Sequence, residues 1–83
     1  MNIDKIKEIY DNSIKGSKKM SLSDEIEIQD KVPLQFKLDR FSQNYYWEIS
    51  INKETINKFD DRLIKKISLF GFNLKENKFI KNS

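Results

Sequence analysis

Between Tyr45 and Asn52 the chain alternates, with Tyr45, Trp47, Ile49 and Ile51 on one side of an extended chain and Tyr46, Glu48, Ser50 and Asn52 on the other. A period of two marks a half-buried strand, and this one is predicted to be central. The period then changes. Ile56, Phe59, Leu63, Ile67 and Phe70 recur every three or four residues, which forms one apolar stripe on a helix. Asn52 is placed to cap that helix, Glu54 sits in its first turn where the dipole favours a carboxylate, and Gly71 supplies a left-handed stop. The pattern predicts one long helix over 52–71 that shares a core with the strand before it.

The rest of the chain packs around this unit. Ile3, Ile6, Tyr10 and Ile14 predict a first helix over 3–15, with Asn2 as its cap, Gly16 as its stop and Lys5, Glu8, Asp11 and Lys15 toward solvent. After the linker 16–19, Met20, Leu22, Ile26 and Ile28 occupy even positions and predict a strand over 22–29. Pro33 cannot donate to a ladder and belongs at the start of the next strand, which Leu34, Phe36 and Leu38 define. Phe41-Ser42-Gln43-Asn44 supplies the turn that joins that strand to the Tyr45 strand as a hairpin. Beyond Gly71, Phe72, Leu74, Phe79 and Ile80 make a short β tail that either adds an edge strand or folds back. The predicted class is α+β: helix, three-stranded antiparallel sheet, long helix and short C-terminal β tail, in one domain over 1–83, with both helices on one sheet face.

Composition narrows the means of stabilisation. A chain of 83 residues buries a modest share of its surface, so each large side chain counts. There is no Cys, His or Ala, so disulfides and a zinc staple are excluded and the core falls to Ile, Leu and the aromatics. No run of about 18 apolar residues is present to span a membrane, and the N-terminus lacks the apolar segment of a signal peptide. A cytoplasmic location is the expectation.

Without His or Cys, the nucleophile systems built on imidazole or thiolate are closed, and so are soft-metal sites. The carboxylates at Asp24, Glu25 and Glu27, and at Asp60 and Asp61, read more simply as solvated surface than as acid–base pairs. With only Gly16 and Gly71, no glycine-rich phosphate loop exists. The chain is expected to be no enzyme, with no catalytic residue, cofactor or metal.

Binding features remain. Residues 1–43 carry eight basic and eight acidic side chains, whereas 44–83 carry eight and five, so the net +3 lies in the second half. Lys58, Arg62 and Lys65 fall opposite the apolar stripe of the long helix and are candidates for phosphate contact; a lysine-rich solvent face is the plainer reading. Lys75, Lys78 and Lys81 form a similar basic tail. Asp24, Glu25 and Glu27 give the 22–29 segment one charged face, either presented to a basic partner or guarding an edge strand. Phe41 and Tyr46 fall out of phase with the core sides of their strands and are expected to meet across the hairpin on its outer face, as interface anchors, as a cross-strand pair, or buried under the C-terminal tail.

The order helix, three strands, helix resembles the double-stranded RNA-binding domain. That family has a lysine cluster at the start of its second helix and a Gly-Pro-x-His loop, where this chain has Lys53-Glu54-Thr55-Ile56 and no His. The opening Met1-Asn2-Ile3-Asp4, with Glu8-Ile9 and the element order, resembles small phage-encoded anti-CRISPR proteins. That resemblance implies a small inhibitor of a host defence nuclease or ribonucleoprotein. Because the chain is basic overall, it implies direct protein–protein blocking rather than nucleic-acid mimicry. The leading expectation is a protein-binding module that uses Phe41, Tyr46, Asp24, Glu25 and Glu27. The alternative is a nucleic-acid-binding module that uses Lys58, Arg62 and Lys65. A third reading is a subunit whose exposed apolar surface closes a homo-oligomer.

Overall fold

A computed structural model describes residues 3–13 and 18–82. Among these residues there are three helices and one antiparallel sheet of four strands. Helix α1 spans Ile3–Asp11 and α2 spans Leu22–Lys31; β1 (Leu34–Asp39) and β2 (Asn44–Ser50) form a hairpin. A single 3-10 turn, Ile56–Lys58, leads into α3 (Asp61–Leu69), and a second hairpin, β3 (Asn73–Lys75) and β4 (Lys78–Asn82), closes the chain. The sheet order is β1-β2-β4-β3, so the Tyr45 strand is central as expected, and the tail supplies two strands rather than one.

Register assigns the two faces. Leu34 pairs with Ile49, and Ile49 with Phe79, so these three share a face; Gln35 pairs with Glu48, and Glu48 with Ile80, on the other. The first face carries the core. Ile6 and Tyr10 from α1, Ile28 from α2, and Leu63, Ile64 and Ile67 from α3 are buried in one cluster with Leu34, Ile49 and Phe79. The Tyr10 hydroxyl donates to the Phe72 carbonyl oxygen, tying α1 to the entrance of β3, and burial, with Asp11 adding to it, pushes the Tyr10 phenol up. Helices therefore cover one face of the sheet.

Two predicted elements are corrected. The segment over 22–29, expected as a strand, is α2. Ser21 and Asp24 close a capping box in which the Ser21 hydroxyl accepts from the Asp24 amide and the Asp24 carboxylate accepts from the Ser21 amide. Helical geometry separates the even positions that a strand would have united, burying Ile28 and leaving Leu22 and Ile26 exposed.

The long helix over 52–71 is also not continuous. Asn52 Oδ1 accepts from the amides of Glu54 and Thr55, but this stabilises a turn. A second cap, Asp60, accepts from the Leu63 amide at 2.8 Å and starts α3 afresh, with Phe59 buried in the break. Gly71, with φ of 82°, ends the α3 region in the left-handed conformation that only glycine adopts without strain. In α1 the buried pair Ile6 and Tyr10 agrees with the expected face. The predicted Asn2 cap, Ile14, Lys15 and the Gly16 stop lie outside the described residues.

Candidate interaction surface

The β1–β2 hairpin runs past its helical cover. On the helix-side face, Leu34 and Ile49 are buried, Phe36 and Trp47 come next, and Leu38 and Tyr45 end the series. Trp47 is half-buried against the core, while Phe36 is 50% and Tyr45 51% exposed. The rings form a ladder. Phe36 stacks on Tyr45 with centroids 5.1 Å apart and planes 7° from parallel, and its other neighbour is Trp47 at 4.6 Å and 49°. Such cross-strand aromatic contacts stabilise a hairpin by about 0.5–1.5 kcal/mol each beyond buried area. They also fix the rings as a rigid apolar surface, extended by Leu38 at 42% exposure.

Beyond the ladder lies the loop 40–43, where Gln43 has φ of 60°. The Asp39 carboxylate accepts from the Phe41 amide at 3.0 Å, and the Gln43 side-chain amide donates to the Arg40 carbonyl at 2.8 Å. This tight turn projects Phe41 fully into solvent.

Among the described residues no helix packs on the opposite sheet face, which is organised around one carboxylate. Glu48 is buried at 5% exposure beneath its neighbours, with Lys37 Nζ donating to Oε1 at 3.0 Å, Lys78 Nζ 3.9 Å from Oε2, and the Ser50 hydroxyl 3.3 Å from Oε1. Burial pushes the Glu48 carboxyl up, but the hydrogen bond and charge of Lys37, helped by Lys78, outweigh it and leave the group below the usual carboxylate range. Glu48 in turn raises Lys37. Tyr46, Glu48, Lys75, Lys78 and Ile80 line a shallow depression of about 720 Å³ on this face.

The structure separates the residues that sequence grouped as partner contacts. Phe41 sits in the hairpin loop and Tyr46 lies opposite Lys37, so the expected Phe41–Tyr46 meeting does not occur. Asp24, Glu25 and Glu27 lie on α2. Lys66 of α3 bonds to Glu27 and approaches Asp24 at 3.5 Å, so two of the three carboxylates already hold the helices together. Hydrogen bonding from Ser21, supported by Lys66, lowers Asp24, and Lys66 lowers Glu27.

Of the basic set, Arg62 and Lys65 are exposed on α3, while Lys58 belongs to the 3-10 turn and is cut off by the break at Phe59 and Asp60. The expected basic stripe is therefore in two pieces. Phe36, Leu38 and Tyr45, which alternation assigned to the core, are exposed, with Trp47 half-buried behind them. The signal that could have exposed them is Asp60-Asp61, a cap and first-turn acid in the middle of a supposed helix.

Among the described residues, no group of three or more acidic side chains could hold a metal ion, and no helix is long and apolar enough to cross a membrane. Comparison of the chain with protein-family models, with curated proteins and with solved structures finds no match in any of the three.

Proposed function

We propose that this chain is a non-enzymatic protein-binding module that takes up an extended strand of its partner along the free edge of β1, beside the ring ladder. The observation that carries this reading is the coincidence of an edge strand with uncovered apolar side chains. β1 is an outer strand of the sheet, so alternate backbone N–H and C=O groups along it point away from β2. Phe36 and Leu38, two residues apart on the same strand and face, are both about half exposed. An added strand gains main-chain hydrogen bonds from such an edge and specificity from side chains at alternate positions. Lysines in edge strands commonly discourage pairing, but Lys37 is drawn across the sheet to Glu48. The partner segment that fits is extended and apolar at every second residue.

A role as inhibitor of a host defence nuclease or ribonucleoprotein, implied by the N-terminal resemblance, is the narrower form of this proposal, and the same edge and rings would carry it. The basic helix face is not favoured as a phosphate track, because Asp60 and Asp61 stand between Lys58 and the pair Arg62 and Lys65.

Selection of displayed random peptides on the purified protein tests the proposal and requires no named partner. Enriched peptides should alternate apolar and polar residues, protect β1 amides from hydrogen exchange, and lose about tenfold or more in affinity on Phe36→Ala, as expected of an anchor worth at least ~1.4 kcal/mol. Peptides without alternation, or ones that protect β3 and leave β1 unchanged, would refute it.

A further inference from the structure

On the far side of Trp47 from the ring ladder, the helix-side face ends in concentrated positive charge. β4 places Lys81 directly opposite Trp47. Its ammonium lies 5.9 Å from the ring centroids of both Phe70 and Phe72. Lys18, from the segment before α2, brings a second ammonium to 5.8 Å from the Phe70 centroid. Lys19 joins them in lining a cleft of about 490 Å³, with Gly71, Asn73 and Asn82 at its border and no carboxylate among the described lining residues.

The arrangement differs from that of the ion-paired lysines. Lys37, Lys66 and Lys78 each have a carboxylate oxygen at 3.9 Å or closer. In the cleft, two ammonium groups share the face or edge of one phenyl ring. A ring quadrupole attracts a cation without neutralising it, and the two like charges repel. Burial pushes the Lys81 ammonium below the usual lysine range, the direction expected where water is lost and no counter-charge replaces it. Among the described residues, the site is electrostatically incomplete.

We propose that this cleft binds a phosphate group, carried either by a small phosphate ester or by a single-stranded nucleic-acid backbone. Three ammonium groups match a terminal phosphate of about −2 charge better than a lone carboxylate. The rings of Phe70 and Phe72 give the charges an apolar floor that weakens screening. The proposal is independent of strand docking on β1, since neither set of residues includes the other.

The test is a calorimetric titration of the full chain with sodium pyrophosphate, with an oligothymidylate of about 12 nucleotides, and with succinate as a dicarboxylate control. Pyrophosphate should bind saturably and more tightly than succinate. Lys81→Met should weaken binding about tenfold or more, as loss of a charge-assisted hydrogen bond does. Lys19→Gln, at an exposed position where folding is not at stake, should weaken it in the same direction. If the oligonucleotide binds more tightly than pyrophosphate and fails on the same variants, the phosphate comes from nucleic acid. Its affinity should then fall about 20-fold between about 50 and 200 mM salt, the slope for three contacts to a single strand. If it binds no more tightly, the ligand is a small phosphate ester. Absence of saturable binding by both phosphate probes, equal affinity for succinate, or binding untouched by both substitutions would overturn the proposal.

Discussion

Strand β2 has two ends of opposite character on one face. Ile49 is fully buried, whereas Tyr45, four residues earlier on the same side, is half exposed. Both obey the same alternation. The difference lies in what is overhead: α3 has nine residues and is about 14 Å long, while the seven residues of β2 run about 23 Å. Alternation determines which face a side chain takes, but the length of the covering element determines whether that face is closed. At the closed end the rings and branched side chains are core. At the open end similar side chains become a surface.

The largest expected contrast comes from truncating one aromatic at each end. Phe79→Ala removes a fully buried ring and should cost about 3–5 kcal/mol in urea unfolding. Phe36→Ala should cost only about 1 kcal/mol, because half the ring is already in water and what is lost is mainly cross-strand contact. Equal losses would break the comparison.

Asp60 sets where the cover begins, so Asp60→Ala should destabilise by about 1 kcal/mol while Asp60→Ser retains most of the capping bond. Unchanged stability in Asp60→Ala would mean that another contact starts α3.

The helix-free face gives a sharper electrostatic version of the contrast. Glu48 has a folded pKa below its unfolded value of about 4.3, so its contribution is fully present above that value and is lost as pH falls through the folded pKa. The magnitude is about 1 kcal/mol at most, because the side chains of Lys37 and Lys78 are 41% and 49% exposed. The wild type should therefore lose more stability than Glu48→Gln between about pH 7 and about pH 3. Parallel losses would show that Glu48 is not the group involved.

The smallest effect lies deep in the closed end. Among the described residues the buried Ser68 hydroxyl has no hydrogen-bond partner, so Ser68→Ala should be neutral or stabilise by up to about 1 kcal/mol in the same urea assay. A clear loss would reveal a bond that the hydroxyl makes in solution.

Much of this fold is legible in residue patterning. The alternation of Tyr45 to Ile51, Pro33 ahead of β1, the polar hairpin turn and Gly71 as a left-handed stop all correspond to what the chain does. The 22–29 segment misleads because Leu22, Ile26 and Ile28 satisfy a strand period, although Ser21 and Asp24 carry the competing cap signal. The helix boundary misleads for a related reason. Ile56, Phe59 and Leu63 keep a helical spacing through the break, so periodicity conceals the cap at Asp60.

That one boundary hides the candidate site. A helix over 52–71 would be about 30 Å long, longer than β2, so Phe36 and Tyr45 read as core, whereas α3 with its nine residues is about 14 Å long. The lysine cleft has no local signature, because Lys18, Lys19 and Lys81 are brought together only by the return of β4 beside β2.

On the proposed reading, the open end of the hairpin is spared from the core in order to bind. The most direct measurement is Phe36→Ala assayed twice, for unfolding free energy and for affinity toward a selected alternating peptide. The account predicts a stability loss near 1 kcal/mol with affinity reduced about tenfold or more. A loss of about 3 kcal/mol or more with affinity unchanged would contradict it, placing Phe36 in the core and the binding surface elsewhere.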